Sequence, residues 1–80
     1  MDKTRERILE RVQKRRSLPP PAEREALRKA AGLSLRDLGE AMGVAATTVH
    51  FWETGQRNPN SLHLDRYLSA LQAMSDSAAN

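Results

Sequence analysis

Apolar residues recur at helical spacing through most of the chain and predict four helices after the proline run at 19–21. Leu27, Ala30 and Ala31 form the inward stripe of the first of these helices, and Leu64, Tyr67, Leu68 and Leu71 form that of the last. This spacing of three and four residues is typical of amphipathic helices. The predicted helices run from about Pro21 to Ala31, Leu35 to Met42, Ala46 to Thr54, and from Asn60 or Ser61 to about Met74.

Local signals at the helix ends support these boundaries. Ser34 is a suitable N-cap for the second helix, and Asp37 three residues later completes a capping-box pattern. Gly32 ends the first helix, and Gly43 supplies the tight turn after the second, where we expect a positive φ. The segment 75–80 has no apolar residues except alanine, so we expect it to be disordered.

Three consecutive prolines at 19–21 divide the chain, because they favour extended backbone. Residues 1–18 are predicted to form a basic arm, helical over 3–16, and residues 22–74 the main domain. Ile8, Leu9 and Val12 are the only apolar stripe of the arm. The stripe is too thin to build a core alone, so the arm could dock on the domain, pair with a second copy, or fray.

The positive charge of the chain is concentrated in this arm. Residues 1–18 carry seven basic and three acidic side chains, whereas residues 19–80 carry six basic and seven acidic ones. A basic block of this kind marks either an arm that binds a polyanion or a solvated tail. The sequence has no cysteine, no long apolar segment and no apolar secretion signal, so we expect a cytoplasmic location.

The third predicted helix has two different sides. Val49, Trp52 and Glu53 fall on the side expected to face the core, together with Ala45 and Thr48. The other side carries small, hydroxyl, imidazole and aromatic groups and no Lys or Glu, namely Ala46, Thr47, His50, Phe51 and Thr54. An ordinary solvated surface would carry charged residues, so this composition favours a surface that contacts another molecule.

The stretch from Leu27 to Leu71 resembles the lambda-repressor-like helix-turn-helix family, the Cro/CI or XRE type of bacterial and phage regulators. The resemblance rests on the run Gly43-Val44-x-x-x-Thr48-Val49-x-x-Trp52-Glu53-x-Gly55 and on further matches at Leu27-Arg28, Gly32-Leu33-Ser34, Leu38-Gly39, Met42 and Pro59. It implies an all-α, compact four-helix domain that follows the helical arm. It also implies double-stranded DNA as the partner, with the helix at 46–54 in the major groove.

The resemblance also implies the DNA-contacting residues. Base contacts would come from the exposed side of the third helix, namely Ala46, Thr47, His50 and Phe51. Phosphate contacts would come from helix ends and the following loop, namely Ser34, Leu35, Arg36, Thr48, Thr54, Gln56, Arg57 and Asn58. Backbone N–H groups at a helix start bind phosphate whatever the side chain, so Leu35 is compatible with this role. Charge placement adds Lys14, Arg15 and Arg16 of the arm as nonspecific phosphate contacts.

Several of these residues have a second interpretation. Ala46 could be helix-forming filler, and His50 could contact phosphate instead of a base. Phe51 could pack on the last helix or on a dimer partner. This chain lacks the Gln or Arg that other members use for base readout, so methyl contacts or DNA shape would carry more of the specificity.

Arg28 and Glu53 are expected to form a structural ion pair, because Glu53 lies on the inner side of its helix and the family pairs these positions. The alternative is an exposed surface pair of little energetic value.

No catalytic or metal-binding motif accompanies His50 or His63, so we expect neither an enzyme nor a cofactor. The first function class is a transcriptional regulator, in particular a repressor from a bacterium, phage or mobile element. Its oligomeric state stays open: a homodimer could form through Ile8, Leu9 and Val12, or only on DNA. The second function class is a protein-interaction module, antitoxin-like or adaptor, that reuses the fold.

Overall fold

A computed structural model describes residues 2–79, and every regular element within that range is an α-helix. The helices are α1 Thr4–Arg16, α2 Pro21–Ala30, α3 Leu35–Met42, α4 Ala46–Thr54 and α5 Ser61–Ala79. The all-α prediction is confirmed, with four helices in the main domain and one in the arm. Both helices of the helix-turn-helix have the predicted bounds.

The core lies where α3, α4 and α5 meet. Val49 and Tyr67 are fully buried, and Trp52 stacks on Tyr67 at 4.7 Å between ring centroids. The remaining buried apolar residues come from α3 and α5, namely Leu38, Met42, Leu64, Leu71 and Met74. The arm and α2 cover this core with half-buried residues such as Leu18 and Leu27.

The inner side of α2 differs from the predicted alanine stripe. Ala30 is exposed, and the buried residues of α2 are Arg24 and Arg28. Arg24 donates from Nη1 to the carbonyl of Trp52 at 2.8 Å and from Nε to the carbonyl of Pro19 at 2.8 Å. A buried guanidinium needs such acceptors to offset its desolvation. Arg24 therefore ties the proline segment to the last turn of α4.

Local features fix the start of α3 and the turn between α3 and α4. Ser34 accepts from the Asp37 N–H and Asp37 accepts from the Ser34 N–H, both at 2.9 Å, which completes the predicted capping box. Gly43 has the predicted positive φ, at +74°. Gly39 lets the turn approach α3 closely, because a Cβ there would stand 2.7 Å from the carbonyl oxygen of Val44.

The arm docks on the main domain through its last turn. Lys14 lies 3.2 Å from Asp65 on α5, and Arg15 donates to the carbonyl of Pro59 at 3.2 Å. Ile8 and Leu9, nearer the start of α1, remain about half exposed. Of the three alternatives for the arm, the structure shows docking, with the apolar stripe left uncovered.

The last helix is longer than predicted. The sequence predicts a disordered segment at 75–80, but α5 extends to Ala79, and Asn80 lies outside the described residues. Residues 75–79 contain neither glycine nor proline, so nothing in them stops a helix that the core already anchors at Met74. Within residues 2–79, no helix is long and apolar enough to cross a membrane.

Candidate nucleic-acid interface

The two sides of α4 differ in burial. Val49, Trp52 and Glu53 are buried, whereas Thr47 and His50 are exposed. Ala46, Thr48 and Phe51 are half-buried, and Thr54 is exposed at the last turn. The exposed side therefore presents a hydroxyl and an imidazole with little competing charge. These groups can donate to base edges or to phosphate oxygens.

Arg28 and Glu53 link α2 to α4 through a bidentate ion pair. The guanidinium donates from Nε to Oε2 at 2.7 Å and from Nη2 to Oε1 at 3.0 Å. Its remaining nitrogen, Nη1, donates to the carbonyl of Leu33 at 2.8 Å. The hydrogen bond with Glu53 raises the pKa of Arg28 above its ordinary value. The pair is buried, as the resemblance implied, and its hydrogen bonds hold α4 against α2.

The start of α3 offers backbone donors to phosphate, but with a neighbouring negative charge. The Leu35 side chain is half-buried against the core, so its contribution is limited to its N–H group. Hydrogen bonds from Ser34 lower the pKa of Asp37, which keeps this carboxylate ionised beside the helix end. Arg36 is exposed and pairs with Glu40 at 3.2 Å. The carboxylate of Asp37 opposes a phosphate here, and Arg36 favours one.

The loop after α4 carries the predicted phosphate contacts Gln56, Arg57 and Asn58, all exposed. Gly55 has φ +78°, which ends α4 and turns the chain back. Arg57 lies over the Phe51 ring, with Cζ 5.1 Å from the ring centroid. The structure therefore joins Phe51 to the loop, a contact that neither sequence interpretation of Phe51 included.

The arm places basic side chains beside this loop. Arg15 reaches the carbonyl of Pro59, at the loop's end, and stays exposed. Arg16 is exposed as well. Lys14 instead pairs with Asp65 and with Glu10, and its pKa is raised chiefly by Asp65. Lys14 thus holds the arm on the domain, while the two arginines can reach outward.

Arg24 is a residue beneath the site that sequence analysis missed. Together with Pro21, which lies 3.2 Å from the position a Gly55 Cβ would occupy, it fixes the proline segment against the end of α4. A signal was present, because residues 24, 27, 28 and 31 share one face of a helix. A sequence pattern assigns arginines on such a face to the surface, because it does not show the carbonyl acceptors that allow them to be buried.

A protein-family model described as helix-turn-helix matches residues 25–75 of the chain. The chain therefore belongs to the lambda-repressor-like (XRE) helix-turn-helix family, whose domains bind double-stranded DNA and act as regulators. No curated protein and no solved structure gives a significant match to the chain. Among residues 2–79, no group of three His, Asp or Glu side chains could hold a metal ion.

Proposed function

We propose that the protein is a sequence-specific transcriptional regulator that inserts α4 into the major groove of double-stranded DNA. The observation that carries the proposal is the exposed, weakly charged side of α4 with Thr47 and His50, flanked by Arg57 of the following loop. Thr47 and His50 read base edges, and Ala46 adds a methyl contact. We infer that it acts as a repressor, which blocks polymerase access, in a bacterium, phage or mobile element.

Thr47→Ala tests the assignment of α4. Bound sites are first selected from random duplexes and sequenced, and affinities are then measured for a selected and a random duplex. We expect Thr47→Ala to cost about 1–3 kcal/mol on the selected site and almost nothing on random DNA. Ser69→Ala, an exposed change on α5, is the matched control. An equal loss on both duplexes would reassign Thr47 to phosphate contact.

We further propose that phosphate contacts come from the starts of α3 and α4, the loop and the arm. The contributing groups are the N–H group of Leu35, the hydroxyls of Ser34 and Thr48, the side chains of Gln56, Arg57 and Asn58, and the arm arginines Arg15 and Arg16. Thr54 and Arg36 are left out because the Thr54 hydroxyl donates to the Phe51 carbonyl and Arg36 pairs with Glu40. Support for the arm comes from its position, because Arg15 already touches Pro59 at the end of the loop. Lys14 is left out of this set because Asp65 and Glu10 engage it.

The arm contribution is measured by salt dependence in the full-length chain. Replacing Arg15 and Arg16 with glutamine should flatten the slope of log K against log salt by about 0.9 for each phosphate that is no longer neutralised. Arg5 and Arg7, near the start of α1, provide a control double variant with the same change in net charge. Equal flattening in both double variants would indicate a general charge effect and would refute placed contacts.

A homodimer formed on DNA is the assembly that we propose. Ile8, Leu9 and Val12 are 55%, 48% and 38% exposed and could pair with the same stripe of a second copy. The patch is small beside stable interfaces of about 1,200–2,000 Å², and the basic helices repel each other until phosphates neutralise them. Sedimentation should show monomers alone and two copies on a palindromic duplex, with Ile8→Ala/Leu9→Ala weakening the second binding step.

The same exposed stripe favours the second candidate, a protein-interaction module. In that case a partner protein, not a second copy, would cover α1. The duplex selection separates the two functions, because an interaction module would enrich no DNA sequence.

A further inference from the structure

Phe51 has an unusual position on α4. The helical pattern places it on the side that faces DNA, yet the structure leaves it only half exposed. The guanidinium carbon of Arg57 lies 5.1 Å from the centre of its ring. The Arg57 N–H also donates to the Phe51 carbonyl at 3.2 Å. Backbone and side chain of Arg57 are therefore both anchored on the same residue.

These contacts close the loop over the end of α4. Gly55 reverses the chain direction, and the Thr54 hydroxyl donates to the Phe51 carbonyl at 3.2 Å. The Phe51 carbonyl thus accepts from Thr54 and Arg57 together. One residue of α4 sets the path of the loop that carries Gln56 and Arg57.

Stacking on an aromatic ring leaves an arginine able to bind an anion. An aromatic ring attracts the charge of the guanidinium but offers no carboxylate to its N–H donors, so the donors stay open to an anion. Ion pairing has the opposite effect, because a carboxylate occupies those donors. Arg36 and Lys29 are paired in that way, with Glu40 at 3.2 Å and Glu25 at 2.6 Å.

Holding Arg57 in place also lowers the cost of binding. A free arginine side chain gives up conformational freedom when it is fixed. The contact with Phe51 restricts the side chain before any ligand arrives, so less freedom remains to be given up on binding.

We propose that Phe51 is a positioning residue: it presents Arg57 to a backbone phosphate of duplex DNA and does not itself read a base. The proposal rests on the proposed DNA-binding function and replaces the expectation that Phe51 contacts base edges. Arg57 makes the contact, and Phe51 determines where its donors point.

The contact is first tested in the free protein. Ring currents of Phe51 should shift the side-chain proton resonances of Arg57 upfield in the full-length chain, and Phe51→Leu should abolish this shift. Phe51→Tyr keeps the aromatic face and should retain it. An unshifted Arg57 in the wild type would overturn the proposal without reference to DNA.

Its effect on binding is then measured on a random-sequence duplex across a salt series. We expect Phe51→Leu to weaken binding about two- to fivefold, the value of an exposed cation–π contact. The slope of log K against log salt in Arg57→Gln should be less steep than in the wild type by about 0.9, because one phosphate contact is lost. The slope of Phe51→Leu should move toward that value. Phe51→Tyr should restore both quantities. In the Arg57→Gln background, Phe51→Leu should change neither.

The outcomes separate this proposal from the function on which it rests. Failure of the wild type to bind any duplex would overturn both. Wild-type binding with an unchanged salt slope in Phe51→Leu would overturn the positioning role alone. A loss of affinity limited to a selected site, and abolished when deoxyuridine replaces its thymines, would show that Phe51 reads a thymine methyl group and would also overturn it. Circular dichroism at the assay temperature verifies that each variant is folded.

Discussion

Replacing Arg28 with leucine should remove most of the stability of the domain. The change leaves the carboxylate of Glu53 buried, with only 2% of its side chain exposed and neither of its guanidinium hydrogen bonds in place. The carbonyl of Leu33 is also deprived of its donor at 2.8 Å. Leucine fills part of the space but cannot donate a hydrogen bond.

The expected cost is about 3–5 kcal/mol, the usual penalty for stranding one member of a buried ion pair. A domain of this size unfolds with a free energy near the low end of about 5–15 kcal/mol. Each kcal/mol lowers the melting temperature by roughly 4–8 °C in such domains. Arg28→Leu should therefore melt roughly 12–40 °C below wild type. The change is followed by far-ultraviolet circular dichroism and by the fluorescence of Trp52, the only tryptophan.

Two further variants make the result specific to the buried pair. Lys29→Leu removes the neighbouring cation, whose pair with Glu25 is exposed, and should leave the melting temperature almost unchanged. Arg28→Met combined with Glu53→Leu removes both charges and should recover most of the stability, because no charge is stranded. If Arg28→Leu melted within a few degrees of Lys29→Leu, Glu53 would not depend on Arg28 and the reasoning would be refuted.

Three other substitutions test separate parts of the fold in the same unfolding assay. Gly39→Ala should lower the free energy of unfolding by about 1–3 kcal/mol, because its Cβ would stand 2.7 Å from the Val44 carbonyl oxygen; a higher melting temperature would show that helix propensity dominates. Tyr67→Phe should be neutral or stabilising by up to about 1 kcal/mol, since the buried hydroxyl finds no hydrogen-bond partner within the described residues. Burial raises the pKa of Tyr67 to about 12 from an ordinary 10.0, so the wild type should lose stability as the pH rises from 10 to 12. An equal loss of stability in Tyr67→Phe would contradict this cause. Asp37→Ala should be less stable than wild type at neutral pH, because the capping carboxylate has a lowered pKa and stabilises the fold only while it is ionised. The difference in unfolding free energy should disappear below the ordinary pKa of 3.8. A difference independent of pH would exclude the capping charge as its cause.

The helix-turn-helix could be predicted in detail because its signals are local. Ser34 and Asp37 satisfy each other within one turn, and Gly43 adopts the positive φ that its turn requires. Such features depend on neighbours three or four residues away. The end of α5 was harder to predict, because polar residues after Met74 read equally well as a solvated helix or as a disordered tail.

The candidate site was less predictable wherever a residue depends on a distant partner. Arg24 is buried because it finds the Trp52 carbonyl, 28 positions along the chain. Phe51 meets Arg57 because Gly55 folds the loop back, which a helical wheel cannot represent. A pattern of polar and apolar positions places a residue at the surface or in the core by its chemical type alone. For Arg24 and Phe51, a distant contact partner decides the position instead.

The partners of the basic residues also change how the charge of the domain should be read. The segment after residue 18 contains six cations, but Arg24 and Arg28 are buried inside the fold. Lys29 pairs with Glu25, and Arg36 pairs with Glu40. Among the described residues after 18, only the cations Arg57 and Arg66 are therefore neither buried nor paired with a carboxylate. The cations of this segment that are free to contact a phosphate backbone are therefore fewer than the six in the sequence. Because phosphate contacts supply a large share of the affinity for duplex DNA, we propose that this domain depends on its docked arm for binding. The salt slope of the Arg15 and Arg16 variants measures how strongly.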